Sequence, residues 1–375
     1  MDTSELSWVE VSEQALRQNV RNFKKHIGSQ ALLCVAVKGN AYGHGLVESA
    51  RVFLEAGADW LCVNALFEAR ALRKAGFDCP IYIMGYVPLG ALAEVVALKC
   101  RLVVYNKETI DQLVRVLEGT GKKIKVHIKV ETGNNRQGVL PEILMDFARY
   151  IDGKEDIELE GIGTHFANIE DTTDHSYAMM QLERFNRAIE GLEAAGIDVP
   201  LRHCANSAAT LLFPMAHYSM VRLGLGAYGM WPSEKVAEVV EDFELEPALC
   251  WKTRIVQVKE IKAGECVGYG CTFEAQRDMR IAILPVGYYD GYDRGISEAF
   301  VLVHGKKAAL CGRVCMNIIM IDVTEIDEAM LEDEVVLIGR NGDEEVSAEM
   351  FAAWAGTINY EVTTRINERI PRIII

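Results

Sequence analysis

An α/β chain, a (β/α)8 barrel followed by a mainly β C-terminal domain, is the fold class this sequence predicts. Three observations carry it. Eight short apolar runs recur through the first 230 residues, helix-like stretches separate most of them, and from about residue 241 strands follow one another without long helices between. In order, the runs are ALLCVAVK (31–38), DWLCVNA (59–65), PIYIMGY (80–86), RLVVYN (101–106), KIKVHIKVE (123–131), LEGIGTHF (159–166), LRHCANS (201–207) and MVRLGLGAYG (220–229). Short continuous apolar runs bounded by turn residues read as strands buried on both faces. The stretches between, such as GLVESARVFLEAGA, ALFEARALRKAGF and MMQLERFNRAIEGLEAAGI, place apolar residues three and four apart and often close on glycine, the pattern of an amphipathic helix and its C-terminal cap. Eight β/α alternations fit a closed TIM-type barrel better than an open doubly wound sheet.

Beyond residue 240 the strand-like runs are ALCWKTRIVQVKEI, CVGYGCTF, RIAILPVGY, AFVLVHG, KKAALCGRV, IIMIDV and EVVLIG, with turn signals HGKK and GRNGDEE; only SAEMFAAWAGT (347–357) reads as a late helix. The expected division is therefore a barrel over 1–240, its first residues packing with the β domain, and a β domain over 241–375. No low-complexity segment interrupts the chain.

With 375 residues, 50% hydrophobic and 25% charged, the chain can bury a large core. A net charge of −15, without a basic patch interleaved with aromatics, excludes nucleic acid and anionic membranes as expected partners. The acidic start MDTSELSWVEVSE lacks a basic-then-apolar leader and no run of eighteen apolar residues occurs, so the expected location is the cytoplasm. Ten cysteines, several inside apolar strands (Cys34, Cys62, Cys250), form no CxxC pair, and eight histidines show neither HxH nor HExxH spacing. Buried free thiols and the absence of a metal site are the expectation.

One run ends unusually. In VAVKGNAYGHG (35–45) a lysine closes the first strand and opens a loop of three glycines, a tyrosine and a histidine. A lysine buried without a partner is costly, so Lys38 is either solvated or engaged in chemistry. At the C-terminal end of a barrel strand it stands on the face where barrel enzymes carry their sites, and an amine in a partly dry site can form a Schiff base with an aldehyde cofactor. The same face offers a phosphate small hydroxyls and backbone N–H groups: Asn206 and Ser207 in HCANSAAT, and Arg222, Gly224 and Gly226 in RLGLGAYG.

Ten motifs in register, WVEV, AVKGNAYGHG, KVETGNNRQG, THFA, HCANSA, MVRLGLGAYG, VGYGCTF, GYYDGY, GRVCMN and INYEV, resemble those of the alanine racemase family of fold-type III pyridoxal phosphate enzymes nearly from end to end. The resemblance implies that Lys38 carries pyridoxal 5'-phosphate and serves as one of two bases. It implies that Tyr42, Ser207, the backbone of Gly224 and Leu225, and Tyr360 hold the phosphate, and that His165 and Asn206 pack around the ring. Arg222 would face the pyridine nitrogen, and because guanidinium holds its proton tightly the nitrogen stays unprotonated, a weaker electron sink than one paired with a carboxylate. Tyr269 would be the second base, kept competent by His165 and Arg222, since a phenol with a pKa of about 10 is otherwise a poor base at neutral pH. Arg136 and the backbone N–H of Met316 would hold the substrate carboxylate. In the family the two halves of the site meet across a head-to-tail homodimer, so dimerisation is implied as a condition of activity.

The chain departs from the family pattern at Asn134 and Asn135, where a Met-Gly pair is common, at Gly39, where alanine is usual, and at Asn317, where aspartate is frequent. Asparagine tolerates positive φ, which would preserve the turn. Lys129 matches a lysine often carbamylated in relatives. Tyr360 keeps the implied pocket small, which favours alanine, with the product D-alanine feeding peptidoglycan; serine or a broader amino-acid range is the nearest alternative. A decarboxylase of similar layout would place an acid against the pyridine nitrogen, and a non-catalytic pyridoxal phosphate carrier would lack the β domain.

Overall fold

The computed structural model describes residues 5–375, which fall into two compact units. One comprises Gln14–Ala41 and Leu46–Glu246; the other comprises the residues up to Glu13, Tyr42–Gly45 and Pro247–Ile375. The division at Pro247 lies a few residues beyond the expected 241. Strand β1 (Ser7–Val11) belongs to the second unit, where it pairs antiparallel with Leu249–Arg254 and parallel with Arg372–Ile374.

The next eight strands form the barrel: β2 (Leu32–Ala36), β3 (Trp60–Val63), β4 (Ile81–Ile83), β5 (Arg101–Val104), β6 (Ile124–Lys129), β7 (Ile157–Gly163), β8 (Leu201–His203) and β9 (Met220–Leu223). Each pairs in parallel with its predecessor from β2 to β8, and β9 pairs with β2. Between β8 and β9 the ring is joined by Ser219 N–H to the Arg202 carbonyl (3.3 Å) and Arg222 N–H to the Ala205 carbonyl (2.9 Å). Seven of the eight strands lie inside the predicted runs; β7 begins at Ile157, two residues before its run at 159. Their side chains Leu33, Leu61 and Ile81 are fully buried, each stabilising the fold by roughly 1.5–3 kcal/mol.

The barrel's interior is polar and aromatic as well as aliphatic. Tyr82 stacks on His127 (centroids 4.7 Å apart, planes at 29°) and meets His203 edge-on at 5.6 Å. The Arg101 guanidinium lies 4.8 Å above the Trp60 ring. Strand β7 makes room for these rings with glycine: a Cβ on Gly161 would sit 2.4 Å from His127 Nδ1, and one on Gly163 would sit 2.2 Å from His203 Cε1.

The second unit packs Trp251, Tyr292 and Phe351 as its large buried rings, with Tyr292 against Phe351 at 4.9 Å. Three differences from expectation arise here. Helix Asn359–Arg365 is additional; at seven residues, with adjacent β-branched Val362, Thr363 and Thr364, it is too short and too poor in helix formers to show periodicity. The run CVGYGCTF is a small hairpin, Cys266–Val267 against Phe273–Glu274, with Tyr269 in the turn because Gly268 (φ 75°), Gly270 (φ 77°) and Cys271 (φ 47°) take left-handed backbone. All ten cysteines are free, as expected, but Cys266 and Cys271 on that hairpin are exposed. No helix among the described residues is long and apolar enough to cross a membrane.

Gly163→Ala is expected to destabilise the barrel by about 1–3 kcal/mol through overpacking against His203. A chemical-denaturation midpoint equal to that of the wild type would show that the imidazole has room to yield.

Candidate active site

Lys38 follows β2 and begins a left-handed turn. Gly39, Asn40, Ala41 and Tyr42 all have positive φ, between 53° and 62°. Such backbone costs about 1–2 kcal/mol per residue that carries a Cβ, so glycine at 39 relieves the first position. Side chains and backbone hold the rest. Gly39 N–H donates to Glu68 Oε1 (2.7 Å), Ala41 N–H to the Val37 carbonyl (2.9 Å) and Leu46 N–H to Asn40 Oδ1 (2.9 Å). Glu68, itself buried, accepts with its other oxygen from Asn64 and Ala65 N–H. Strain of this kind persists where the surroundings over-determine it, commonly at functional sites. Burial lowers the Lys38 amine's basicity; Cys62 and Glu68 oppose that, while the Arg136 and Arg222 charges add to it. The shift is toward the neutral amine, the form that acts as nucleophile and base.

Arg222 stands on the neighbouring strand, β9, in register with Cys34 of β2. Its Nη1 donates to His203 Nδ1 (2.6 Å) and the His203 carbonyl (2.9 Å). Its Nη2 donates to the Thr164 carbonyl (2.7 Å), with the Cys204 carbonyl (3.3 Å) and His165 Nδ1 (3.4 Å) also in reach. Guanidinium has five N–H groups, so the four on Nη1 and Nη2 have acceptors and Nε–H remains available. His165 has its pKa held well below the ordinary value by burial and by the surrounding Lys129, Arg222, Arg136 and Lys38 charges. Burial likewise brings Lys129 down to about 7, helped by Arg222 and Arg136.

Arg136 is exposed and lies in the loop after β6. Glu131 organises that loop: burial raises its pKa, but backbone N–H groups of Asn135, Gly133, Asn134 and Arg136 outweigh burial and hold it ionised. Asn135 has φ 53°, the conformation asparagine tolerates. Asn134 Nδ2 donates to the Phe166 carbonyl (3.2 Å) and Tyr177 OH to that of Gly133 (2.7 Å).

Ser207 Oγ accepts from Gly224 N–H (3.0 Å) and Gly226 N–H (3.2 Å), so the turn at Leu225 wraps this hydroxyl and leaves its proton to donate. Asn206 is engaged structurally, accepting from Ala209 N–H as the cap of helix Ser207–Leu212 and donating to Glu170 Oε1 (2.9 Å). Thus Lys38, Arg136, His165, Asn206, Ser207, Arg222, Gly224 and Leu225 all lie at the C-terminal ends of barrel strands. The remaining predicted residues belong to the other unit. There the Tyr42 and Tyr360 rings are 6.3 Å apart, and Tyr269 and Met316 are 70% and 54% exposed. Sequence reasoning left Glu68, Glu131, Gln181, His127, His203 and Glu160 without a role. Their signal was a charged, imidazole or amide side chain at an otherwise apolar position; Gln181, fully buried, holds Ala167 N–H (2.9 Å) and the His165 carbonyl (3.2 Å).

A family model described as alanine racemase, N-terminal domain, matches residues 11–232, and its companion, alanine racemase, C-terminal domain, matches 248–374. With a low-basicity amine and a buried guanidinium on the barrel mouth, these matches define an enzyme of the amino-acid racemase class. An alanine racemase of Methanococcus maripaludis is 40% identical over 98% of both chains, and one of Desulfovibrio desulfuricans is 40% identical over 98% of both. The solved alanine racemase of Bacillus anthracis with bound L-Ala-P superposes with a TM-score of 0.94 at 37% identity, covering 99% of this chain and 95% of that one. A histidine racemase of Leuconostoc mesenteroides superposes at 0.89 with 28% identity, covering 99% and 98%. The chain belongs to the alanine racemase family.

A buried carboxylate of the barrel, Glu160, has a pH signature. Burial raises the Glu160 pKa, but His127, Lys125 and Arg101 bring it to about 2 from the ordinary 4.5. A depressed carboxylate contributes stability that is full above its unfolded pKa and is lost as pH falls through the folded value, here a contribution of about 3 kcal/mol. Glu160→Gln should therefore lower the urea midpoint at pH 6, and the gap to the wild type should narrow as pH falls below about 4.5. A gap constant with pH would overturn the assignment.

Proposed function

We propose that the chain is a pyridoxal phosphate-dependent racemase that interconverts L- and D-alanine by two bases, Lys38 and Tyr269, as a homodimer. One observation carries the reading: the left-handed turn holds Lys38 as a weakly basic amine one strand from Arg222, whose Nε–H is uncommitted. The donor set fits the cofactor. Lys38 suits its aldehyde, Arg222 Nε–H its ring nitrogen, and the Ser207 hydroxyl with the turn at Gly224 and Leu225 its phosphate, with Tyr42 and Tyr360 as further phosphate ligands and His165 and Asn206 beside the ring. The chemistry supplied by the cofactor, when bound, is electron withdrawal that acidifies the amino acid's Cα–H.

Racemisation removes a proton from one face of Cα and returns one to the other. Lys38 Nζ, made less basic by burial, exchanges a proton on one face. Tyr269 of the partner subunit serves the opposite face. His165 favours its phenolate: Arg222 donates to His165 Nδ1, so a neutral His165 carries its proton on Nε2 and offers it to the phenol oxygen. Arg136 and the Met316 N–H of the second copy hold the substrate carboxylate. The β-unit surface supports a homodimer, because Tyr269, Met316, Ile318, Tyr288 and Tyr289 are all large and exposed there. Alanine fits a pocket narrowed by Tyr360, and D-alanine would serve peptidoglycan synthesis. Ten free thiols agree with a reducing, cytoplasmic setting. The likeness to a histidine racemase favours, as a second reading, a broader amino-acid range.

The test is chiral analysis of the protein incubated in deuterated water with pyridoxal phosphate and a panel of L-amino acids. D-alanine carrying deuterium at Cα should exceed D-serine, by up to about a hundredfold; D-product chiefly from another amino acid would overturn the substrate, and release of carbon dioxide the reaction. Lys38→Ala should abolish the Schiff-base absorbance. Tyr269→Phe should retain that absorbance and lose about 10²–10⁴-fold in turnover of the L-enantiomer; unchanged turnover in both directions would overturn the two-base assignment.

A further inference from the structure

A continuous hydrogen-bonded chain crosses the barrel interior behind Arg222. Arg222 Nη1 meets His203 Nδ1 at 2.6 Å, His203 Nε2 meets His127 Nδ1 at 2.9 Å, and His127 Nε2 meets Glu160 Oε2 at 3.1 Å. Glu160 also binds Lys125 (2.8 Å) and Arg101 (3.2 Å) near the opposite end of the barrel. Both histidines are at most 1% exposed, and Glu160 is 5% exposed.

The direction of every bond follows from its ends. Guanidinium only donates, so His203 Nδ1 is bare and its proton sits on Nε2. That proton requires His127 Nδ1 to accept, which places the His127 proton on Nε2. An ionised carboxylate only accepts, so Glu160 is the terminus this polarity requires. Burial holds both imidazoles below their ordinary pKa, with the Arg222 charge adding to it in each. A protonated His203 would set an N–H against an Arg222 N–H.

We propose that Glu160 is a positioning residue for the reaction: through His127 and His203, each locked as the tautomer with bare Nδ1, it fixes the Arg222 guanidinium so that Nε–H faces the cofactor ring. The inference rests on the proposed function for what Arg222 faces, but not for the tautomers. A hydrophobic side chain of similar size would fill the space of Glu160 without terminating the chain. Its loss leaves the last N–H without an acceptor and releases both rings to exchange protons and orientation.

The test uses protein labelled with 15N at the histidine rings, whose long-range proton-nitrogen spectra distinguish bare from protonated nitrogens. In the wild-type chain His203 and His127 should each show bare Nδ1 and protonated Nε2, with and without pyridoxal phosphate. Glu160→Leu should blur this pattern and lower kcat for alanine about 10–100-fold in both directions, the range seen when partners that orient metal ligands are removed, with KM changed far less. Glu160→Gln, whose amide oxygen can still accept, should restore the tautomers and most of kcat. A protonated His203 Nδ1 in the wild type, or wild-type kcat and spectra in Glu160→Leu, would overturn the proposal. The cofactor-free spectra stand even if no racemase activity is found, so the two readings fail separately.

Discussion

Guanidinium is a donor with no acceptor, and placing it in the middle of a barrel dictates what surrounds it. Arg222 is 7% exposed and is ringed by the carbonyls of Thr164, His203 and Cys204 and by two imidazole Nδ1 atoms. Each acceptor lies on or just after β7 or β8, so the ends of the strands nearest β9 are shaped by a single side chain. The same requirement leaves His203 Nδ1 bare, which gives the interior a polarised chain. Lys38 and Lys129 nearby are made less basic chiefly by their own burial, with the Arg222 and Arg136 charges adding to it. Arg222, whose proton never leaves, thus adds a permanent positive charge to a mouth where burial already disfavours further cations.

As a contribution to stability this arrangement is an inefficient one. Desolvating Glu160, Arg101 and the imidazoles offsets much of their mutual attraction, and aliphatic packing would hold a barrel together at least as well. Gly161 and Gly163 add backbone entropy lost on folding in order to clear space for the rings. A polar core of this kind gains directionality instead: hydrophobic contacts have no sign, whereas a chain of donors and acceptors has one allowed polarity.

How much of this was legible in the sequence depended on the range of the interaction. The eight barrel strands were, because a parallel strand buried on both faces must be a continuous apolar run whatever its neighbours. Lys38 was legible because a charge at the end of such a run is costly without a function. The roles of His127, His203 and Glu160 were not: they lie on three strands, and only the closure of the barrel makes them partners. Tyr269 sat in what reads as a strand, and two glycines and a left-handed Cys271 turn it into a hairpin tip. That conformation depends on φ signs that alternation of side chains does not record.

The departures at Gly39, Asn134 and Asn135 can be weighed in the same terms. Gly39 enters a left-handed turn that continues for three more residues, so losing a Cβ there eases backbone strain without altering what Lys38 can do. Asn135 adopts φ 53°, which an asparagine bears more easily than most side chains, and Glu131 gathers the surrounding N–H groups. Asn134 is the one with chemistry to offer a substrate, yet its Nδ2 is bound to the Phe166 carbonyl on the next strand's loop. An amide held there ties the Arg136 loop to the segment carrying His165. The effect of the unusual loop is therefore on where Arg136 stands, and under the proposed function any change in substrate preference would come through that placement.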